Sequence, residues 1–496
     1  MINLGYSLKK KGDTPMTKPS ACLLNALADY ANSNALPMHM PGHKRNTNLA
    51  PYLSALGAEI DITEIHGFDD LHQPEGILRH SMEHAARLWG SDRSFYLVNG
   101  STCGILAGIR AAAGQGGKVI LTRGCHKSVY HALELCSLTP HYIAPTLDPT
   151  FGVLNSITPS QVQQALNDCP DAKLIILTSP TYEGVISDLD SICQIAHAAQ
   201  IPVLVDEAHG SHLGLAEGWH SGAVAAKADL VIQSLHKTLP SLTQTAILHQ
   251  NGNLVSPQEV ARQLGIFETS SPSYLLLSSI DGCVNYLTQH RTAAFAHWNA
   301  ALQQFDKAIE PLVHLRVLCH GSDSIHAHTG FFAHDPGKLV ISCRGTNLTG
   351  IGLMERLRND YAIESEMASG DYALAMTGMG DSPETLQRLA AALCAIDQTL
   401  TPAPAGFAVP HALPLPPQVM PVLQALQAPC PDTPFADCVG KISGEYVWAY
   451  PPGIPLIVPG ERLDEAFYQN CCHLLQSGIS LRSTSGNLPH HLSTLV

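Results

Sequence analysis

The chain has 496 residues, 45% of them apolar and 14% charged, with a formal charge of −14. That length exceeds one ordinary domain, so two or three units with sizeable cores are expected. No basic block occurs, which argues against a nucleic-acid surface and an anionic membrane partner, and no run approaches ~18 apolar residues, so none is expected to span a bilayer. The fourteen cysteines lack paired metal-type spacing, and no apolar signal core follows the basic residues between Met1 and Lys11. Free thiols in a reducing cytoplasm are the expectation.

Residues 1–60 read as an N-terminal arm, with a short helix over Leu23 to Tyr30 and a loop at His39-Met40-Pro41-Gly42-His43-Lys44. A major unit is expected over 61–280. Within it, apolar runs at Phe95–Val98, Lys118–Thr122, Lys173–Thr178, Pro202–Val205, Leu230–Gln233 and Thr245–His249 alternate with helical patterns such as Thr102–Ala113 and Asp190–Ala199. Alternation of this kind predicts an α/β fold with a mostly parallel sheet and helices on both faces. The runs are continuous rather than alternating, as in strands buried on both sides. A connector helix over 281–310 leads into a small α+β unit ending near 400. Its strands are expected at Lys338–Cys343 and Tyr372–Thr377, its helices at Thr349–Asp360 and Pro383–Thr399. Pro/Ala-rich sequence makes 401–432 an extended linker. Residues 433–496 form a small C-terminal unit.

The chemistry-bearing residues fall just past strand ends. Lys237 lies in Ser234-Leu235-His236-Lys237-Thr238, after one strand, and Asp206 follows another, thirty-one residues upstream. A lysine and an aspartate so placed suit pyridoxal phosphate (PLP): the lysine forms an imine, and the aspartate pairs with the pyridinium nitrogen. Asn99-Gly100-Ser101-Thr102 closes a strand and opens a helix, where free N–H groups and the Ser101 and Thr102 hydroxyls could take a phosphate. The plain alternative is an ordinary helix N-cap. His126 could lie flat on a cofactor ring or be a simple loop histidine. His209 could approach the ring oxygen or the substrate carboxylate. Asp206, His209 and His212 have ligand-like side chains, but no fourth ligand is evident, so no metal is expected. Ser234 and His236 flank the lysine and could donate to the phosphate. Thr269-Ser270-Ser271-Pro272-Ser273-Tyr274 could do the same from a neighbouring subunit, or be only a turn. In an open α/β sheet ligands bind at the carboxyl edge, where Ser101, His126, Asp206 and Lys237 all fall.

Taken together, these motifs resemble the short Orn/Lys/Arg decarboxylases of PLP fold type I (aspartate aminotransferase-like), the group that includes the bacterial biosynthetic-type arginine decarboxylase. The resemblance also covers Pro41-Gly42-His43-Lys44, Asp69-Asp70-Leu71-His72, Ser271-Pro272-Ser273-Tyr274, Tyr450-Pro451-Pro452-Gly453 and Pro459-Gly460-Glu461. It implies Lys237 as the Schiff-base lysine, Asp206 as the pyridinium partner and His126 as the stacking histidine. Ser101, Thr102, Ser234 and His236 would surround the phosphate. It implies a homodimer with active sites at the subunit interface. The implied reaction is decarboxylation of a basic amino acid, arginine before lysine before ornithine, yielding a polyamine or its precursor. Lys237 and His209 are candidates to return a proton to Cα. The substrate cation needs a carboxylate, and Asp69, Asp70, Glu75 and Glu445 are candidates between which the sequence does not choose. Gly124 and Glu268 depart from the usual Asn and Thr of the family; an inward Glu268 would perturb the phosphate surroundings. A fold type I aminotransferase or aldolase would share Lys237 and Asp206, as would a non-catalytic PLP-binding regulator.

Overall fold

The computed structural model describes residues 22–46, 48–403, 415–450, 453–476 and 478–495. Met1–Lys11 at the start of the arm, positions 404–414 of the linker, and Pro451-Pro452 lie outside the described residues.

The central sheet has seven strands: β1 (Arg93–Leu97), β2 (Lys118–Thr122), β3 (Thr139–Ile143), β4 (Ala172–Thr178), β5 (Val203–Asp206), β6 (Leu230–Ser234) and β7 (Ala246–Gln250), in the spatial order β1-β7-β6-β5-β4-β2-β3. Strands β2 to β6 are parallel, and β7 runs against both β6 and β1. Both faces are apolar because successive side chains point to opposite sides. Ile120, Ile175, Val203, Val205 and Val231 enter one buried cluster, while Val119, Leu121, Ile176, Leu204 and Ile232 enter another. The edge strand β3 is absent from the expected set. It carries Thr139, Pro140 and His141, pairs only with β2 and is half-exposed along most of its length. An edge position tolerates proline and needs no apolar run, so the strand leaves no clear trace in the sequence.

Helix α1 (Leu23–Ala31) and helix α2 (Ile77–Trp89) precede the sheet; helix α3 (Gly100–Ala113) follows β1 and helix α4 (Lys127–Cys136) follows β2. Glycines let α3 press close to the strands. A Cβ at Gly104 would lie 2.6 Å from Leu97 Cδ1, and one at Gly108 would lie 3.0 Å from Leu204 Cδ1. This contact fixes the N-terminus of α3 at the carboxyl edge of the sheet.

The long helix Tyr274–Ala308 begins ahead of the expected 281. It leads to a four-stranded antiparallel sheet in the order Met367–Ser369, Tyr372–Met376, Lys338–Ser342, Arg316–Val317, with helices Gly350–Tyr361 and Pro383–Asp397. The last part holds two three-stranded antiparallel sheets and the helix Glu465–Gln476 around Phe435, Val447, Ile457 and Phe467. It is tied to the exit of β2 by a buried ion pair. The Arg123 guanidinium donates to both carboxylate oxygens of Glu461, at 2.8 and 2.9 Å.

Candidate active site

Strand register brings the site residues abreast. Thr178 at the end of β4 pairs with Asp206 at the end of β5, and Asp206 pairs with Ile232 in β6. Strand β6 ends at Ser234, and the one-turn helix Leu235–Thr238 carries Lys237 over the same edge. Ser101, His126, Asp206, His209 and Lys237 line one cavity of about 220 Å³, together with Tyr182 and Glu183 from the segment after β4.

Burial sets the charge states. The Asp206 carboxyl is buried, which pushes its pKa up; the Lys237 charge and the Ala208 N–H oppose the rise. Burial likewise lowers Lys237, against the pull of Asp206 and Glu366. His126 is pushed down to about 4 by burial and by the charges of Lys237 and Lys127, so its ring is neutral at pH 7. Its Nδ1 accepts from the Ser128 N–H, which makes it the N-cap of α4 and fixes the ring over the cavity wall. His209 is held well below its ordinary value by burial and by Lys237 and Lys338. Its Nε2 lies 2.9 Å from Lys237 Nζ, and its ring centroid 4.3 Å from that of Tyr182.

This donor set fits PLP. The buried Ser234 Oγ has no hydrogen-bond partner among the described residues, although it begins the turn that carries Lys237. An orphaned buried hydroxyl costs free energy unless something binds it, and a phosphate oxygen would. Ser101 adds a second hydroxyl at the N-terminus of α3. His236 engages the Thr245 carbonyl through Nδ1, and neither it nor Ser234 is among the residues that line the cavity.

Other expected residues sit elsewhere. Thr102 is exposed and does not line the cavity. Half-buried Thr269 and exposed Ser271 also lie outside it; their loop is anchored where the Thr269 carbonyl meets His72 Nε2 at 2.8 Å. The substrate carboxylates are redirected. The Asp69 carboxylate accepts from the N–H groups of Asp70, Glu75, Gly76 and Leu78 at the start of α2. Partial burial pushes its pKa up, but those N–H groups hold it below the usual range. Glu445 is buried in the C-terminal part, where it accepts from Ser485 N, Ser485 Oγ and Ser493 N. Asp70 accepts from the His72 N–H, and Glu75 is exposed. None of the four lines the cavity; its carboxylates are Asp206 and Glu183. His212 pairs with Asp335 rather than joining Asp206 and His209 in a metal-type cluster.

The two departures from the family pattern both have structural meaning. Gly124 lines the cavity, and a Cβ there would lie 2.8 Å from Leu154 Cδ1. Glu268 turns inward and accepts from the Val98 N–H at 2.6 Å, one residue before Asn99-Gly100. Burial pushes its carboxyl up to about 7 against the effect of that bond.

Glu183 and Tyr182 escaped the sequence reading. Their signal was the one that found the others: Thr178-Ser179-Pro180-Thr181-Tyr182-Glu183 leaves the carboxyl end of a strand, but its proline reads as a simple turn.

Comparison with known proteins gives a consistent picture. Residues 21–346 match the model of the Orn/Lys/Arg decarboxylase major domain, and residues 415–478 that of the Orn/Lys/Arg decarboxylase C-terminal domain. The chain is 33% identical to an arginine decarboxylase of Halalkalibacterium halodurans, over 90% of this chain and 91% of the relative. It is 32% identical to an arginine decarboxylase of Bacillus subtilis, over 97% and 99%. Its fold matches the crystal structure of the Francisella novicida lysine decarboxylase LdcF with a TM-score of 0.80 and 17% identity, covering 96% of this chain and 81% of that one.

Proposed function

The chain belongs to the Orn/Lys/Arg decarboxylase family, and from that premise we propose that it is a PLP-dependent decarboxylase acting on arginine first, then lysine, then ornithine. The carrying observation is the convergence of Lys237, Asp206, His126 and His209 on one cavity at the carboxyl edge of the sheet. Arginine ranks first because four relatives similar over 90% or more of the chain are arginine decarboxylases.

When bound, PLP supplies an aldehyde for the amine and a ring that takes up the electron pair of the breaking bond. Lys237 is the amine that holds it, and desolvation favours the neutral, nucleophilic form of that amine. Asp206 would keep the ring nitrogen protonated and the neutral His126 would pack on the ring; Ser101, Ser234 and His236 would hold the phosphate, with Thr269 and Ser271 serving the site of a second subunit in a homodimer. Glu183 meets the substrate cation. One of its oxygens accepts from the Tyr372 hydroxyl at 2.8 Å, which fixes the carboxylate at the cavity wall. No described helix is long and apolar enough to cross a membrane. None of the fourteen cysteines is in a disulfide, which suits a reducing cytoplasm.

Carbon dioxide release from arginine, lysine and ornithine in competition, with PLP and no keto acid, tests the reading. Agmatine as main product is expected. A requirement for a keto-acid acceptor would transfer the assignment to an aminotransferase.

A further inference from the structure

Burial singles out a second lysine. Lys338 opens the strand Lys338–Ser342 and is 1% exposed. A lysine ammonium carried into the interior costs several kcal/mol unless other groups hold it. Its Nζ lies 3.4 Å from Nδ1 of His209, whose Nε2 faces Lys237 Nζ at 2.9 Å. One imidazole thus spans two lysines.

The stem of Lys338 is confined. A Cβ at Gly184 would lie 2.7 Å from its Cγ, so the chain has no room to swing toward that side. The charged groups facing it are Asp335, Glu366 and Lys237. Asp335 is itself held in place, accepting from the Gly337 N–H at 2.8 Å and pairing with His212 Nε2 at 3.2 Å. Burial lowers Lys338 to about 8 against the effect of Asp335, so at pH 7 it is mainly the ammonium.

A neutral imidazole carries one N–H, and its position depends on what each nitrogen meets. His209 is neutral, because burial and two lysines disfavour its charge. An ammonium can only donate, and once the Lys237 nitrogen holds the cofactor, Lys338 is the free ammonium at the ring; Nδ1 then accepts, which leaves the proton on Nε2, facing Lys237. The geometry points to Lys338 as a positioning residue that fixes His209 in the Nε2–H tautomer and so presents a proton donor beside the reacting end of Lys237.

This inference rests on the decarboxylase reading. In that reaction the Cα–carboxylate bond breaks, carbon dioxide leaves, and the electron pair remains to be protonated at Cα. Nε2 gives its proton to Cα while Lys338 gives one to Nδ1. The imidazole is left as the Nδ1–H tautomer beside a neutral Lys338. Return of that proton to Lys338, and uptake of one from water at Nε2, reset the pair. One solvent proton is consumed per turnover, as the reaction requires.

The test is nitrogen NMR of the PLP-loaded protein labelled with ¹⁵N-histidine, with His209→Gln identifying the His209 signals. The wild type should show the Nε2–H form. Lys338→Met should lose it, and Lys338→Arg, which keeps a donor, should retain it. An Nδ1–H form in the wild type overturns the proposal without any variant, and so does an unchanged tautomer in Lys338→Met. If Lys338→Met fails to fold, loss of the Nε2–H form in Lys338→Arg overturns it. As a second readout, kcat for arginine should fall about a hundredfold in Lys338→Met, with KM changed less than about twofold. An unchanged kcat overturns the proposal. Absence of carbon dioxide release from every basic amino acid in the wild type would sink the decarboxylase reading instead, and the tautomer measurement would still stand.

Discussion

His209 and His328 are both buried imidazoles engaged at both ring nitrogens, and their surroundings are opposite in sign. His209 meets Lys237 and Lys338. His328 meets the carboxylates of Asp148, at 2.9 Å, and Asp323, at 2.8 Å. The two lysines add to burial and hold His209 neutral, whereas the two carboxylates overcome burial and raise the pKa of His328. Burial alone does not mark a reactive site. A group whose neighbours keep it short of its preferred charge state can exchange protons readily, while a group whose neighbours complete it is held in place. The first region should therefore respond to substitution in turnover, the second in stability.

The largest effect is expected at Lys237. Lys237→Ala should lower kcat by roughly 10⁴-fold or more with little change in Tm. Borohydride treatment of the wild type should attach the cofactor to the peptide containing Lys237. A label on another lysine would remove the cavity from its place in the comparison. Asp206→Asn, nearly the same volume, should fold normally and lose about 10³-fold in kcat, because a neutral ring is a poor electron acceptor. Glu183→Gln should act on recognition. Losing one charge-assisted contact should raise KM for arginine and lower kcat/KM by about 10- to 100-fold, with kcat less affected. A KM equal to that of the wild type would return the search for the substrate carboxylate to other residues.

The same edge rule explains how much the sequence discloses. Ser101, His126, Asp206 and Lys237 were legible because each follows an apolar run, and run and position are both local properties. The place of Asp69 and Glu445 outside this cavity was not legible, because the duty of a carboxylate depends on which donors reach it. Glu445 is saturated by Ser485 and Ser493, forty and forty-eight residues away. Lys338 was passed over for the converse reason: the sequence shows a lysine before an apolar strand, and only the packing of two sheets brings it to His209.

At the second histidine, the expected change is in stability. His328→Asn removes the imidazole that bridges Asp148 and Asp323 and should cost about 3 kcal/mol, read as a lower Tm, with kcat unchanged per folded molecule. The pH dependence has a definite sign. Burial lowers the pKa of His328, but the bonds to Asp148 and Asp323 raise it above 6.5 overall. Its contribution is therefore fully present below about pH 6.5 and lost as pH rises through the raised value. A plot of Tm against pH should show this fall in the wild type and not in His328→Asn. The smallest effect is expected at Glu268, whose carboxyl is raised to about 7, chiefly by burial. The folded state holds that proton more tightly than the unfolded state, so stability is lost as pH rises from about 4.5 to 7. Glu268→Gln should show a higher Tm than the wild type at pH 8 and a smaller difference at pH 5.

The pair between Arg123 and Glu461 has a consequence for how the molecule can come apart. Arg123 immediately precedes Gly124-Cys125-His126, and its carbonyl accepts from the Tyr130 hydroxyl at 2.8 Å. Detaching the C-terminal part would leave a guanidinium without its carboxylate beneath the loop that aims His126, and the chain would have to solvate it by opening that loop. A residue of the C-terminal part thus completes the footing of His126, more than three hundred positions earlier in the chain. A chain stopped before Glu461 should carry every group that lines the sheet edge and still hold the cofactor loosely, and calorimetry of the full chain should show the major and C-terminal parts melting in one transition rather than two.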